Sequence, residues 1–576
     1  MKFFKLSLLI FLIAFIGCND NKSNSNSATE KLSEIITTYQ EHKGYDNKEF
    51  PLGLSTKEFF LAEADFAKEK LDELNKIEDK NLSETEKISL TLLKFQLKEA
   101  VDYAEFEQYL NPLLSDAGFH VSLPYMVRPL NDYNDVKDYL NKLNALPVFV
   151  DQHLDLLQLG IAKGVTQPKV IFKGYESSYD THITDGFEEN FFYSPFKNLP
   201  SILTQSQKDS VLTAAKVVVE AKVIPQFKRI KTFFETEYFP KARKSIGVSE
   251  IPNGKEFYQN RINYYTTSTE YTADDIHQIG LKEVARIKAE MEEIIAELDF
   301  NGSFADFFNF LRTDSQFYAN TPKELLMIAR DMAKRADAQL PKFFKTLPRK
   351  PYGVAPVPDA IAPKYTSGRY VGSSKNSTEP GYYWVNTYDL KSRTLYTLPA
   401  LTVHEAVPGH HLQGSLNNEL GDSIPQFRKN MYLSAYGEGW GLYSEFLADE
   451  MGMYTTPYEK FGQLTYEMWR ACRLVVDTGI HAKGWTREQV IDYMSSNTAL
   501  SMHEINTETD RYISWPGQAL SYKIGELKIR ELRNKAEQEL GSKFDIRQFH
   551  EIILEQGTVT LPILEDRINV YIENSK

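Results

Sequence analysis

The chain has almost no cysteine. Only Cys18 and Cys472 occur among 576 residues, too few for a disulfide framework, so stability must come from a buried core. It also lacks any long basic run, and its formal net charge is −13. That balance argues against general affinity for nucleic acid or anionic lipid. No internal repeat of fixed period stands out. The one pronounced hydrophobic run, Leu6 to Ile16, is eleven residues long, short of the ~20 that a membrane span needs.

That run is preceded by a short basic segment containing Lys2 and Lys5, and it ends Phe15-Ile16-Gly17-Cys18. The arrangement is that of a secretory signal peptide. A small residue before cysteine resembles the lipobox of bacterial lipoproteins, with Phe15 standing where leucine is more common. The expectation is that residues 1–17 are removed and that Cys18 carries lipid. The body would then be anchored in the bacterial cell envelope, facing the periplasm or the surface. The polar stretch NDNKSNSNSA, Asn19 to Ala28, reads as a flexible tether over residues 18–29. With Cys18 so used, Cys472 has no partner in the chain and is expected to be a small buried residue.

What is present is ordinary globular composition, 42% hydrophobic and 25% charged, rich in Tyr (33) and Phe (35). Residues 30–348 are largely helical in pattern. Glu84 to Glu105 repeats apolar residues at helical spacing, Asp135 to Leu159 predicts two helical stretches around Pro147, and Val211 to Phe233 continues the pattern. Thr272 to Leu298 is clearest, with Thr272 as N-cap and Asp275 three residues on. Residues 349–576 form the second part of the same continuous domain. It opens with a Pro-, Gly-, Ser- and Tyr-rich stretch holding one strand-like segment, Gly381 to Thr387. A free edge on that strand would suit an extended peptide.

The chemistry concentrates in His404-Glu405-Ala406-Val407-Pro408-Gly409-His410-His411. Imidazoles hold a hydrolytic zinc ion, and a neighbouring carboxylate takes a proton from the water it binds. The usual H-E-x-x-H places two histidines at i and i+4, but here i+4 is Pro408. On an unbroken helix His411 returns to the face of His404 only about 10.5 Å further along. Pro408 cannot donate to the His404 carbonyl, so the helix must kink, bulge or end. A bulge absorbing Pro408 and Gly409 would bring His410 round as second ligand, with His411 as the alternative. The third ligand is expected from Glu438 in Tyr436 to Glu445. Glu445, seven residues on, reads as a solvated helix residue.

Further polar candidates follow. His481 ends a helix carrying Arg470, Arg473 and Asp477; pairing with Asp477, it would stabilise an oxyanion or orient a ligand. Tyr522 and Tyr512 are candidate phenols, and Arg511 could meet a substrate carboxylate in bidentate fashion.

HEAVPGHHLQ, EGWGLYSE, RLVVDTGIH and RYISWPGQALSYKIG together resemble the bacterial domain-of-unknown-function 885 family, which has many exported lipoprotein members. That family is similar in architecture to the gluzincin metallopeptidases. The resemblance implies a mainly α fold with a deep cleft and a small β-sheet near the metal-binding helix. It implies His404 and Glu438 as zinc ligands and Glu405 as general base. Tyr522 and His481 would be oxyanion partners, and Arg511 and Tyr512 would bind substrate. The expected activity is zinc-dependent hydrolysis of peptide or small amide bonds, with one zinc per chain. The competing reading is a non-catalytic lipoprotein that binds metal or peptide.

Overall fold

The computed structural model describes residues 20–359, 362, 365–373 and 377–576. The proposed signal peptide and Cys18 lie outside them. The first helix, α1 (Asp20–Glu41), begins inside the stretch expected to be a tether. Ser and Asn are weak helix formers. Its second half supplies the reason for helix here, since Leu32, Ile35 and Ile36 are buried against the core. Among the described residues no helix is long and apolar enough to cross a membrane.

The protein is mainly helical. α2 (Lys57–Leu74) and α3 (Glu84–Glu105) pair with α1 in one core. α4 (Tyr133–Lys163) runs unbroken through Pro147, where two stretches were expected. The missing N–H is tolerated because Leu143, Leu146, Val150 and Leu154 bury one face on both sides of it. α5 (Ala273–Glu297) starts at the Thr272–Asp275 capping box, as its spacing predicts. After α6 (Pro322–Phe343) the chain forms a three-stranded sheet of β1 (Tyr352–Pro356), β2 (Gly368–Val371) and β3 (Gly381–Val385), in the order β1-β3-β2. β3 pairs parallel with β1 and antiparallel with β2. The expected strand is therefore central, and the outer strand near the site is β2.

Among the helices that follow are α7 (Leu398–Glu405), α8 (His410–Asn418) and α9 (Ser434–Glu450), which carry the site, and α10 (Pro457–Lys483), α11 (Met502–Ser514), α12 (Ser521–Leu540) and α13 (Leu561–Ser575). Both main cores draw on residues from either side of position 349. α10 is buried on nearly every face, and its Glu467 is held there by ion pairs. Lys523 on α12, fully buried, bonds Glu467 of α10 and Glu526 at 2.8 Å each and Glu283 of α5 at 3.1 Å. Arg286 and Arg530 complete a network of three carboxylates and three cations. Cys472, also on α10, is a free buried thiol whose ionisation burial opposes. Two surface grooves, of about 640 and 370 Å³, lie against α4 and the helices spanning 205–218 and 224–233, and no residue of the histidine cluster lines either.

Candidate metal centre

α7 ends at Glu405, and α8 starts at His410. The predicted bulge is thus a four-residue turn, with a cis peptide before Pro408. Three hydrogen bonds brace it: Gly409 N–H donates to Val403 O at 2.9 Å, His411 N–H to Ala406 O at 3.1 Å, and Trp440 Nε1–H to Pro408 O at 2.8 Å. Gly409 is there because nothing larger fits. A Cβ on it would lie 1.9 Å from the carbonyl oxygen of His404.

The turn sets the His410 ring 4.8 Å from that of His404, nearly perpendicular to it. Both face Glu438 of α9. Glu438 Oε2 lies 3.5 Å from His404 Nε2 and 3.4 Å from His410 Nε2. The ligand atoms of these three residues are all within 4.8 Å of one another. His411 is not part of the cluster. Successive helical residues diverge by about 100°, and its Nδ1 instead meets the hydroxyls of Tyr370 (3.0 Å) and Ser415 (3.2 Å). Burial pushes its pKa down to about 4.

Glu445, expected in solvent, is fully buried, and its Oε1 lies 2.7 Å from His404 Nδ1. The seven-residue interval puts Glu438 and Glu445 two turns apart on one face of α9, where they hold the two nitrogens of a single ring. A Cβ on Gly441, between them, would lie 2.7 Å from that ring. Burial alone would lower the His404 pKa, but bonds to Glu438 and Glu445 carry it up to about 10. Burial also opposes ionisation of Glu438, yet His410 and His404 hold its carboxyl well below the usual range. The Glu438 Oε1 accepts from the Tyr432 hydroxyl at 2.9 Å, a contact that no sequence signal pointed to. Glu405 is fixed from the sheet, its Oε2 accepting the Tyr370 N–H of β2 at 2.7 Å.

The family model for bacterial proteins of unknown function, DUF885, matches residues 42–568. The chain belongs to that family. No curated protein matches it. A "putative lipoprotein" of Colwellia psychrerythraea has a similar structure, with a TM-score of 0.86 at 28% identity, covering 96% of this chain and 99% of that one. A "putative lipoprotein of unknown function" of Shewanella oneidensis shares the fold at a TM-score of 0.66 and 18% identity, covering 95% and 99%.

In this DUF885 chain several predicted site residues serve the interior. His481 is fully buried, its Nδ1 accepting from Val248 N–H at 3.2 Å and its Nε2–H donating to Tyr512 O at 2.9 Å. Burial pushes its pKa down to about 3, so both nitrogens are spent and no proton is offered to substrate. Asp477 does not pair with it. Asp477 accepts from the Tyr258 hydroxyl and Gly517 N–H, and burial raises its pKa to about 7. The Tyr512 hydroxyl accepts from Trp469 and Arg473 and donates to Glu508. Arg511 is committed to Gln518 at 2.7 Å, to Glu508 at 3.3 Å and to Tyr522. Neither has the free polar group that substrate binding asks for. Tyr522 is only part-buried and sits near the Tyr432 phenol, whose ionisation it disfavours.

A carboxylate on the far nitrogen of a metal-binding histidine fixes its tautomer and raises its basicity. With a metal ion in the cluster, Glu445→Gln is therefore expected to weaken its binding about 10- to 100-fold, read by competition between the chain and a chelating dye for zinc. Unchanged affinity would reduce Glu445 to a packing residue.

Proposed function

We propose that this protein is a zinc-dependent hydrolase of peptide bonds, tethered by lipid on Cys18 and acting outside the cytoplasm. The observation that carries the reading is the closure of His404, His410 and Glu438 around one point, with Glu405 beside it. Two imidazole nitrogens and one carboxylate are the donor set of catalytic zinc sites that keep a position open. Zinc held there supplies Lewis acidity toward a carbonyl and acidifies water.

The chain's own residues do the rest. Glu405 accepts the proton of the attacking water and returns it to the leaving amine. The Tyr370 N–H holds one of its oxygens, which leaves the other for the proton. The Tyr522 hydroxyl is the donor for the developing oxyanion. The site would open on a cleft like that of gluzincin metallopeptidases, with Tyr432, 56% exposed, on its open side beside Glu438. An extended peptide would lie along β2, the outer strand beside Glu405. The "putative lipoprotein" description of the two structural neighbours supports the envelope location.

The test is elemental analysis of the purified chain, followed by digestion of a peptide pool with and without chelator. About one zinc per chain and cleavage abolished by chelation are expected. Stoichiometric zinc without cleavage would favour a metal-binding lipoprotein, and no metal after zinc addition would sink the hydrolase mechanism and promote the peptide-binding lipoprotein.

A further inference from the structure

α10 carries two arginines that neither the fold nor the zinc chemistry accounts for. Arg470 and Arg473 are 7% and 2% exposed. Charged groups this deeply placed are ordinarily fully paired. These are not. Among the described residues, Arg470 Nε and Arg473 Nη1 have no hydrogen-bond partner. Arg470 reaches only the Tyr466 carbonyl, at 3.3 Å. Arg473 bonds the Tyr512 hydroxyl at 3.0 Å and Glu508 Oε2 at 2.9 Å. Arg511 draws on that same Glu508 oxygen. Arg473 and Arg511 thus share one carboxylate and Arg470 pairs with none, which leaves two positive charges beyond that carboxylate in a chain that is acidic as a whole.

The guanidiniums are held flat rather than neutralised. Trp469 lies 4.4 Å from Arg470 and 4.3 Å from Arg473, and the Tyr522 ring 4.6 Å from Arg473 and 6.0 Å from Arg470. Aromatic faces stabilise a cation while leaving its N–H edge free for an anion. Tyr522 links the cluster to the metal centre: its ring packs on the guanidiniums, and it lies near the Tyr432 phenol, which bonds Glu438.

We propose that Arg470 and Arg473 form a carboxylate-binding subsite that takes the free C-terminus of a peptide. The inference rests on the hydrolase reading and deepens it: substrates are short peptides with an unblocked C-terminus, cut near that end. A guanidinium edge matches a carboxylate in bidentate fashion, and an excess of positive charge makes up for the desolvation of the incoming anion. The neutral carboxamide gives the site no charge to pair with.

The test uses the zinc-loaded full chain and two pools of random pentapeptides lacking Asp and Glu, one with free C-termini and one amidated. Excluding acidic side chains leaves the C-terminus as the one carboxylate. Loss of a charge-assisted bond in a buried site predicts that the amidated pool is consumed roughly 10- to 100-fold more slowly. Arg470→Gln, which breaks no ion pair, is expected to slow the free-acid pool by a similar factor and erase the discrimination. Equal consumption of both pools by the unaltered chain overturns the subsite and leaves hydrolysis standing.

If neither pool is cut, the hydrolase reading falls, and the subsite is read from binding instead. N-acetylphenylalanine and its amide are titrated while tryptophan fluorescence is followed, Trp469 being packed on both guanidiniums. Tighter binding of the acid, lost in Arg470→Gln, sustains the proposal. Equal binding, or none, ends it.

Discussion

Glu405→Gln is expected to keep its zinc and lose its activity. Glutamine preserves the shape of the side chain and can still accept the Tyr370 N–H that Glu405 Oε2 receives. It cannot accept the proton of the attacking water. General-base assistance contributes about 10²- to 10⁴-fold, so kcat should fall by that factor with zinc content near one per chain. Elemental analysis and turnover on one preparation settle the point. Full activity in the variant would assign the proton to another group and leave Glu405 a strap between α7 and the sheet.

Gly409→Ala should damage metal binding and stability together. The added Cβ would stand 1.9 Å from the His404 carbonyl oxygen and 2.5 Å from the Val403 oxygen. Both are backbone atoms, so relief means reopening the turn that brings His410 beside His404. A steric conflict of this kind costs about 3 kcal/mol of stability, and the second imidazole moves off the metal. The control is Gly414→Ala, in α8, where a Cβ meets nothing nearer than 3.8 Å. Alanine within a helix is worth about 0.5–1 kcal/mol over glycine, so that variant should melt at or above the native temperature with zinc affinity intact. Wild-type melting and affinity in Gly409→Ala would show that the contact does not shape the turn.

Both expectations rest on features that were legible to different degrees. The histidines could be read because proline at i+4 forbids the ordinary helix and leaves few ways to bring a second imidazole round. Glu438 could be read from Gly437 and Gly439, which flank it and allow close approach of another backbone. Glu445 was misread as solvated, although its seven-residue spacing from Glu438 was in plain view; which face of α9 is buried depends on the α7 packing, and no local pattern reports that. Tyr432 carried no signal, being one of 33 tyrosines. His481, Arg511 and Tyr512 have interior partners that the sequence did not foretell. Polar residues set among aromatics look alike in a sequence whether they satisfy a core or face a ligand, and only their partners separate the cases. The mainly helical class was legible from periodicity. The order of the small sheet was not, because it pairs strands across loops with no regular pattern.

The charge network around Lys523 has a bearing on how the chain is made. Its members come from α5, α10 and α12, spread from Glu283 to Arg530. A growing or partly exported polypeptide that ends before α12 holds Arg286 and Glu467 but lacks Lys523, Glu526 and Arg530. Burying α10 at that stage would strand Glu467 without most of its partners, at a cost of several kcal/mol. The helix at the middle of the finished molecule is therefore among the last to be enclosed. Until α12 arrives, its charges keep the intermediate hydrated.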